Sequence, residues 1–288
     1  MTNLTGKTRL LAVIGDPISH SLSPLMQNAA LAELGLDYAY VALRIAGVDL
    51  PVALDGFRAI GLHGFNVTIP HKQAVLPLLG QVSEVAEAVG AVNTVWWDGD
   101  RWCGTNTDVE GFLSPLRLLE RDWSRQRAVI LGNGGAARAV VAACQMLGLA
   151  ETWVVGRDVE RLAAFEASFA DSPLRGNLRT ALSAELESLL PGAGLVVNST
   201  PIGMSPNPEA SPLTDAQAAL LDPTAIAYDL IYVPSPTRFL TQAVARGCTT
   251  FDGLEMLVGQ GAVAQEIWTG QAPNRETMRR ALRQHLFG

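Results

Sequence analysis

The sequence predicts an α/β fold in two parts: a mixed α/β N-terminal half and, in the second half, a doubly wound parallel sheet of the Rossmann type. Strand-like apolar runs alternate with helical patterns of about 10 to 15 residues, which is typical of βαβ units. A glycine-rich turn separates the apolar run RAVILG, residues 127–132, from an alanine-rich helical pattern. A chain of 288 residues with 48% apolar side chains is also long enough for two domains with real cores.

The second half carries the more regular alternation. Its predicted elements are, in chain order, a strand at 127–132, a helix at 136–147, a strand at 152–157, a helix at 158–169, strands at 194–200 and 225–232, a helix at 236–246 and a strand at 248–251. Parallel strands joined by helices of this length form a doubly wound sheet. The segment 205–212 (SPNPEASP) is expected to be a surface loop.

The first half alternates more loosely. After a strand at 10–15 we expect a helix with Ser23 as N-cap and Pro24 in the first turn, ending at Gly35. Further strands are predicted at 38–45, 65–69, 91–97 and 100–105. Asp98-Gly99 separates the last two, and because a tight turn needs a positive φ, this pair predicts a hairpin. The C-terminal segment indicates two helices, 254–268 and a second one capped by Asn274.

Composition excludes several classes of protein. The chain has 21 basic and 28 acidic residues, a net charge of −7, which argues against binding to a nucleic-acid backbone. No apolar run approaches the ~18 to 20 residues that span a bilayer, and the N-terminus lacks a signal sequence. Cys103, Cys144 and Cys248 are scattered, so neither a disulfide framework nor structural zinc is expected. We therefore predict a soluble, cytoplasmic protein that binds neither nucleic acid nor membrane.

The glycine-rich turn has the pattern G-x-G-x-x-A. Gly132 permits a tight turn, Gly134 lets a pyrophosphate approach the backbone, and Ala137 lets helix and strand pack closely. The helix that follows offers unpaired N–H groups to phosphates. Because the turn lies between a strand and a helix, it predicts a dinucleotide site, although a merely tight strand–helix turn would share the pattern. The residues assigned to this site are Gly132, Asn133, Gly134, Gly135 and Ala136.

The end of the next strand bears on which dinucleotide binds. An NAD site usually places Asp or Glu there, on the ribose 2′-hydroxyl, whereas an Arg accommodates the 2′-phosphate of NADP. Here the strand ends in Gly156-Arg157-Asp158, with Arg161 one helical turn beyond. The two arginines favour NADP, while Asp158 favours NAD unless it serves as a helix N-cap. NADP is therefore predicted, with NAD possible.

Two polar stretches of the first half exceed what packing requires. Residues 66–72 (NVTIPHK) and 104–108 (GTNTD) each present several groups suited to binding and proton transfer. Taken singly, Lys72 is more often a solvated surface lysine and Asp108 more often an N-cap, and the serines of 19–23 could be ordinary turn residues. No third ligand with suitable spacing accompanies His20 and His71, so no metal site is predicted.

Eight motifs follow one another along almost the whole chain. They are GDPISHSLSP at 15–24, GFNVTIPHK at 64–72, GAVNT at 90–94, GTNTD at 104–108, GNGGAARA at 132–139, NSTPIGM at 198–204, DLIY at 229–232 and DGLEMLVGQGA at 252–262. In this order they resemble the shikimate dehydrogenase family, which includes quinate dehydrogenases. The resemblance implies a substrate-binding catalytic domain of residues 1–107 plus 254–288, with a dinucleotide-binding domain of residues 108–253 inserted.

The resemblance also implies roles for single residues. Lys72 and Asp108 should be catalytic and flank the hydroxyl that is oxidised. Substrate contacts are expected from Ser21, Ser23, Asn66, Thr68, Asn93, Tyr232 and Gln260. Beyond the glycine turn, cofactor contacts are expected from Arg157, Arg161, Thr200, Met204 and Gly253, with Met204 against the nicotinamide.

Three departures from the family pattern stand out. Gln27 replaces a common His, at a position expected to support a loop. Gly156 and Asp158 replace the Asn and Thr of the usual Asn-Arg-Thr cofactor motif, which leaves phosphate selectivity open. Val233 replaces a common Asn after DLIY.

The resemblance implies reversible reduction of 3-dehydroshikimate to shikimate by hydride transfer from NADPH, in the biosynthesis of chorismate and aromatic amino acids. A Lys–Asp pair would assist the proton transfer. Quinate or aminoshikimate dehydrogenase is the alternative enzyme, and a non-catalytic quinate-responsive or shikimate-responsive binding protein is the alternative of another class. Lys72, Asp108 and the glycine turn occur together here, which favours an enzyme. The resemblance is compatible with a monomer or a homodimer.

Overall fold

The computed structural model describes residues 4–288. Its first elements are β1 (Arg9–Gly15), α1 (Ser23–Glu33), β2 (Tyr38–Arg44), α2 (Leu50–Ala59), β3 (Gly64–Val67), α3 (His71–Ala74), β4 (Gln81–Val82), α4 (Glu84–Val89), β5 (Thr94–Trp97), β6 (Trp102–Thr105) and α5 (Asp108–Leu116). They are followed by β7 (Arg127–Leu131), α6 (Gly135–Met146), β8 (Glu151–Gly156), α7 (Val159–Ala167), β9 (Leu178–Leu182), α8 (Leu186–Leu189), β10 (Leu195–Asn198), α9 (Asp215–Ala218), β11 (Ile226–Asp229), α10 (Arg238–Ala245), β12 (Thr249–Phe251), α11 (Gly253–Thr269) and α12 (Arg275–Phe287). Among the helices of residues 4–288, none combines the length and apolar character that crossing a membrane requires.

The chain forms two compact units. The first comprises the described residues up to Gly111 together with Leu257–Gly288, and the second comprises Phe112–Met256. The chain therefore leaves the first unit once and returns to it within α11. The domain limits at residues 107 and 254 stay a prediction that lies close to these two junctions.

The first unit is built on a six-stranded mixed sheet with the order β2-β1-β3-β5-β6-β4. β1 runs parallel to β2 and β3, while β5 runs antiparallel to β3 and β6. Successive residues of β1 face opposite sides of the sheet, so Ala12 and Ile14 join one apolar cluster and Leu11 and Val13 join the other. Because of the strand directions, the ends of β1, β3 and β6 and the start of β5 share one edge of the sheet.

The second unit contains six parallel strands in the order β12-β11-β10-β7-β8-β9. Read from β9, this is the strand order of the Rossmann fold, with the connections reversing direction between β7 and β10. Ligands bind such sheets outside the carboxyl ends of the strands at that reversal. The predicted fold class, mixed α/β plus a doubly wound sheet, is confirmed.

Two local predictions differ from the structure. Ser23 is not the N-cap of α1: the helix begins at Ser23 itself after Leu22, and no side chain caps it. The Ser23 hydroxyl instead bonds to the buried Tyr40 phenol. In the hairpin, Gly99 has the expected positive φ of +104°. The turn is longer than predicted, because the Asp98 carboxylate accepts from the N–H groups of residues 100 and 101, both at 2.9 Å, and keeps them out of β6.

Candidate active site

Lys72 and Asp108 meet at the shared edge of the first sheet. Lys72 lies on α3, directly after β3, and Asp108 is the first residue of α5, directly after β6. Lys72 Nζ lies 2.5 Å from Asp108 Oδ2, and the two side chains are only 23% and 11% exposed. Lys72 is therefore not a solvated surface lysine, and Asp108 uses its carboxylate for this pair. An ammonium has three N–H donors, of which Asp108 takes one.

Asn93 holds the second oxygen of Asp108. Its amide nitrogen donates to Asp108 Oδ1 at 2.8 Å, while its amide oxygen accepts from the Thr107 backbone N–H at 2.7 Å. Asn93 is 2% exposed, so water does not compete for these bonds. The carboxylate is thus fixed from both sides, and the ammonium is held in a defined place.

A chain of buried polar groups extends from this pair toward α1. The Asn66 amide nitrogen donates to the Asn93 carbonyl and to Thr94 Oγ1, both at 3.0 Å. The Tyr40 hydroxyl donates to Asn66 Oδ1 at 2.6 Å, and Ser23 bonds to the same phenol. Burial raises the pKa of Tyr40 well above its usual value, so this phenol keeps its proton. Asn66, Asn93 and Ser23 therefore belong to one connected network with Asp108.

The other predicted substrate residues lie in three places. Ser21 and Thr68 follow β1 and β3 at the same sheet edge, and Thr68 packs its methyl group where a Cβ on Gly15 would lie. Gln260 is 8% exposed on α11, and its amide nitrogen donates to Leu257 O at 2.7 Å. Tyr232 belongs to the second unit, in the segment that follows β11.

Gln27 has a supporting position. It is fully buried on α1 and donates to the carbonyl of Gly261 on α11 at 2.9 Å. A Cβ on Gly261 would lie 2.4 Å from Met26 Cε, so the two helices approach closely here. Gln27 thus joins α1 to the helix that carries Gln260.

A cleft of about 390 Å³ lies at the carboxyl edge of the second sheet, at the reversal point. It is lined by residues from the ends of four strands: Leu131, Gly132, Asn133, Gly134, Val155, Gly156, Arg157, Ser183, Leu186, Ser199, Thr200, Pro201, Ile202 and Pro212. Among the residues predicted for the cofactor, Gly132, Asn133, Gly134, Arg157 and Thr200 line it. Gly135 and Ala136 form the first turn of α6, whereas Arg161, Met204 and Gly253 lie outside the lining.

Gly132 is suited to the turn for a different physical reason from Gly134 and Gly135. Gly132 has φ +103°, and a Cβ there would lie 2.8 Å from Thr200 Cγ2 and 2.9 Å from Ser199 Oγ. Gly134 and Gly135 have ordinary backbone angles, and a Cβ on either would meet nothing within 4 Å. Gly134 precedes α6 and no side chain caps that helix. The free space and the uncapped N–H groups suit a pyrophosphate.

Asp158 is a helix cap. Its Oδ1 accepts from the backbone N–H groups of Glu160 at 3.0 Å and Arg161 at 3.1 Å, and its Oδ2 lies 3.7 Å from Arg161 Nε. The carboxylate is therefore directed at the start of α7. Arg157 is exposed beside it and lines the cleft. A Cβ on Gly156 would lie 3.0 Å from Leu162 Cδ2, so glycine here lets α7 pack on β8.

Sequence reasoning missed several residues of both sites. Tyr40 and Thr94 lie in strands, where an aromatic and a threonine are ordinary residues. Ser183 and Ser199 line the cleft with Arg157 because β9 lies beside β8 and β10 lies beside β7, which their sequence positions do not indicate. A usable signal would have been that each serine directly follows a parallel strand, where ligand-binding side chains collect.

The strand order, and the cleft beside the glycine turn and the uncapped start of α6, define the class of protein: a dinucleotide-binding α/β enzyme. The shikimate dehydrogenase substrate binding domain matches residues 13–95, and the shikimate 5′-dehydrogenase C-terminal domain matches residues 253–283. A curated relative, the shikimate dehydrogenase (NADP(+)) of Synechocystis sp., is 55% identical over 99% of each chain. The chain belongs to the shikimate dehydrogenase family.

Solved structures agree with this assignment. The shikimate 5-dehydrogenase of Thermus thermophilus, in complex with NADP(H) and shikimate, is 39% identical, has a TM-score of 0.84, and is matched over 96% of this chain and 99% of that one. The quinate dehydrogenase of Corynebacterium glutamicum, in complex with NAD, is 32% identical with a TM-score of 0.87, over 96% of this chain and 99% of that one.

Proposed function

We propose that Lys72 and Asp108 form the proton-transferring pair of an enzyme that interconverts 3-dehydroshikimate and shikimate with NADP. The chain is an NADP-dependent oxidoreductase acting on shikimate, as its curated relatives are named. The observation that supports the pair is the 2.5 Å contact between Lys72 Nζ and Asp108 Oδ2, with Asn93 on the other carboxylate oxygen.

The roles of the pair follow from charge and hydrogen bonding. In the oxidation direction, the substrate hydroxyl must lose its proton as the carbonyl forms, and the Lys72 amine is the group assigned to accept that proton and become the ammonium. In the reduction direction, the Lys72 ammonium stabilises the developing alkoxide and returns the proton. Asp108 keeps Lys72 in place and balances its charge. Asn93, by holding Asp108, keeps the carboxylate from turning away.

The substrate would be held by the hydroxyls and amides around this pair. Shikimate carries one carboxylate and three hydroxyls, which demand several donors and acceptors. Ser21, Ser23, Thr68 and Gln260 are assigned to these groups, with help from Asn66, Asn93 and Tyr232. The support is that Ser23, Asn66 and Asn93 already form one hydrogen-bonded network with Asp108.

The cleft of the second unit fits a dinucleotide. The uncapped start of α6 and the open space beside Gly134 and Gly135 suit the pyrophosphate. NADP, when bound, supplies the redox chemistry as acceptor or donor of hydride. Gly132, Asn133, Gly134, Gly135 and Ala136 would hold the phosphates, Thr200, Met204 and Gly253 the nicotinamide side, and Arg157 with Arg161 the adenosine side.

Arg157 is the residue assigned to the 2′-phosphate. A guanidinium can grip a phosphate with two hydrogen bonds. Asp158 would oppose this only if its carboxylate faced the phosphate, and its bonds to the start of α7 direct it elsewhere. The Arg157→Ala variant should therefore lose most of the preference for NADP over NAD.

Quinate is the second substrate to consider, because the quinate dehydrogenase of Corynebacterium glutamicum has the same fold over nearly the whole chain. The test is an assay of the purified protein with shikimate and quinate, each with NADP and NAD, in the presence of EDTA. We expect the highest kcat/KM for shikimate with NADP. Turnover of quinate alone would overturn the substrate assignment, and binding without turnover would favour the non-catalytic alternative.

A cytoplasmic location is also proposed. Cys103, Cys144 and Cys248 are buried free thiols, which is usual in reducing compartments. The choice between monomer and homodimer, and the expected lack of nucleic-acid binding, stay predictions.

A further inference from the structure

Two loops of the second unit meet at the carboxyl ends of β10 and β11. The first, residues 199–204, is called here the β10 loop; it lines the cleft with Ser199, Thr200, Pro201 and Ile202 and ends at Met204. The second, residues 230–237, is the β11 loop and includes Tyr232. In the proposed function, both loops carry ligand contacts, so their relative placement matters.

Asp229, the last residue of β11, lies between these loops. Its Oδ1 accepts from Asn198 Nδ2 and from the Ile231 backbone N–H, both at 3.0 Å. Its Oδ2 accepts from the Thr237 hydroxyl at 2.6 Å. The side chain is fully buried, and its register partner in the sheet is Asn198. One carboxylate thus holds β10 and both ends of the β11 loop.

Asn198 passes this constraint on to the β10 loop. Its amide oxygen accepts from the Thr200 N–H at 3.0 Å and from the Thr200 hydroxyl at 2.7 Å, and its nitrogen also donates to the Ile202 carbonyl. Both ends of the Asn198 amide are therefore committed. If the Asn198 amide were turned by half a rotation, its nitrogen would face the Thr200 N–H and its oxygen would face the Asp229 carboxylate. Both contacts would then be lost, so Asp229, as an acceptor, helps to fix the orientation of the amide.

Ser199 joins the β10 loop to the glycine turn. Its hydroxyl donates to the Leu131 carbonyl at 2.8 Å and lies 3.3 Å from the Gly132 carbonyl. A Cβ on Gly132 would collide with Thr200 and Ser199, so the β10 loop packs against the turn at a distance that only a glycine permits. A rotation of Asn198 would thus displace the part of the cleft wall that the β10 loop forms.

We propose that Asp229 is a positioning residue for cofactor binding, which acts through Asn198 to fix the β10 loop against the glycine turn and to join it to the β11 loop. The proposal rests on the proposed binding of NADP in the cleft. Asp229 itself is buried and does not line the cleft.

The charge state of Asp229 supports a role beyond packing. Burial raises the pKa of Asp229 to about 6, and repulsion by Asp252 adds to the rise, while the three hydrogen bonds oppose it. A buried ionised carboxylate is costly for folding compared with a neutral amide. Two carboxylate oxygens, however, accept from all three donors at once, whereas an amide must offer its N–H₂ on one side and requires the Thr237 hydroxyl to turn.

The test measures the Kd of NADP and of NAD, without substrate, for folded variants of the full chain. Asp229→Ala and Asn198→Ala should each raise the Kd of both dinucleotides at least tenfold. Because both residues act through one network, the Kd of the double variant should exceed the Kd of the weaker-binding single variant by no more than about twofold. Asp229→Asn, which restores most of the bonds, should stay within about threefold of the wild type.

Asp222 provides a matched control at the other end of β11. Its carboxylate also accepts from a backbone N–H and a threonine hydroxyl, both from Thr224, at 2.8 and 2.7 Å. Asp222→Ala should lower stability without changing either Kd by more than about twofold. If Asp229→Ala does not fold, Asp229→Ser, which keeps a small polar group but is too short to replace the carboxylate oxygens, is measured instead, with amide hydrogen exchange at Thr200 and Ile202 as a second readout.

An unchanged Kd and unchanged exchange in the folded Asp229 variant, or full additivity with Asn198→Ala, would overturn the positioning role. A wild-type protein that binds NADP but does not oxidise shikimate would refute the proposed reaction alone. The two failures are therefore distinguishable.

Discussion

Lys72 illustrates how the surroundings of a residue give it a function. Of 21 basic residues only Lys7 and Lys72 are lysines, and Lys7 is exposed. Lysine can release a proton at accessible pH, whereas the guanidinium of arginine holds its proton throughout. A lysine with a buried carboxylate partner, in a chain that otherwise uses arginine, fits proton transfer better than charge alone.

Substitution of Lys72 tests this at the residue scale. Lys72→Ala should lower kcat at least ~10²-fold with a much smaller change in KM, because the substrate hydroxyls keep their other partners. Lys72→Arg retains the charge but not the proton transfer, so it should be impaired to a similar degree. Asp108→Asn should also be severely impaired, since an amide cannot balance the ammonium. Steady-state kinetics with shikimate and NADP measure all three.

Lys7→Ala is the control for these variants and should match the wild type in kcat and KM. A Lys72→Ala enzyme with near-normal kcat and a large rise in KM would show that Lys72 binds substrate without transferring a proton. Near-normal activity in Lys72→Arg would show that charge is sufficient.

At the scale of elements, the turn between β7 and α6 contains one glycine that the fold requires, Gly132, and one that the proposed cofactor site requires, Gly134. Gly132→Ala should lower the free energy of unfolding by about 1–3 kcal/mol, because alanine at φ +103° is strained and its Cβ would lie 2.8 Å from Thr200. Gly134→Ala should leave stability within about 0.5 kcal/mol, because its backbone angles are ordinary and the space beside it is open. Yet its methyl group would occupy the space of the pyrophosphate and should raise the KM of NADP about tenfold.

Urea denaturation and cofactor titration of the two glycine variants provide the comparison. Equal loss of stability in both variants would mean that both glycines serve the backbone alone. Unchanged NADP binding in Gly134→Ala would remove the turn from the proposed phosphate site.

The start of α7 allows capping and phosphate selectivity to be separated. Asp158→Asn keeps a good N-cap, so stability should change little, and because the Asp158 carboxylate is directed at the start of α7, NADP binding should change by no more than about twofold. Asp158→Ala removes the cap and should cost about 1 kcal/mol. Arg157→Ala should weaken NADP about 10- to 150-fold, the range for one charge-assisted contact of ~1.5–3 kcal/mol, and leave NAD nearly unchanged.

Measurement of kcat/KM with NADP and NAD for these variants, together with thermal unfolding, distinguishes the two roles of Asp158. If Asp158→Asn weakened NAD strongly and left NADP unchanged, Asp158 would be a ribose ligand and not only a cap.

At the scale of the whole molecule, Asp229 couples folding stability to pH. Its pKa is about 6 in the folded chain against an ordinary value of 3.8. Between these values the unfolded chain loses the proton and the folded chain keeps it, so the free energy of unfolding falls as pH rises. Compared with Asp229→Asn, the wild type should lose about 2 kcal/mol from pH 4 to pH 6.5, with little further change above.

Urea denaturation of the two proteins at half-unit pH steps gives this difference directly, because the other titrating groups are common to both and cancel. A difference that stays constant with pH would show that Asp229 is ionised at its ordinary pKa. A difference of opposite slope would show that the hydrogen bonds outweigh burial.

Local chemistry accounts for the features that could be predicted from the residues alone: the α/β class, the strand–glycine turn–helix unit, the Asp98-Gly99 hairpin and the helix cap at Asn274. Each of these features depends on backbone angles, apolar periodicity or capping within a few residues, and local sequence patterns predict all three. The motifs that resemble the shikimate dehydrogenase family predicted Lys72 and Asp108 as a catalytic pair, which stays a prediction, and the two side chains lie 2.5 Å apart.

Contacts between residues far apart in the chain, and the directions of their side chains, depend on the packed fold. Asn93 reaches Asp108, Tyr40 reaches Asn66, and Ser183 shares a cleft with Arg157 because strand order and register bring these strand ends together. The position of Asp158 was open in the sequence between cap and ribose ligand, and the geometry of α7 directs it to the helix N–H groups. Strand pairing depends on the packing of the whole sheet, and the buried Asp229 carboxylate reaches Asn198 only because β10 and β11 pair.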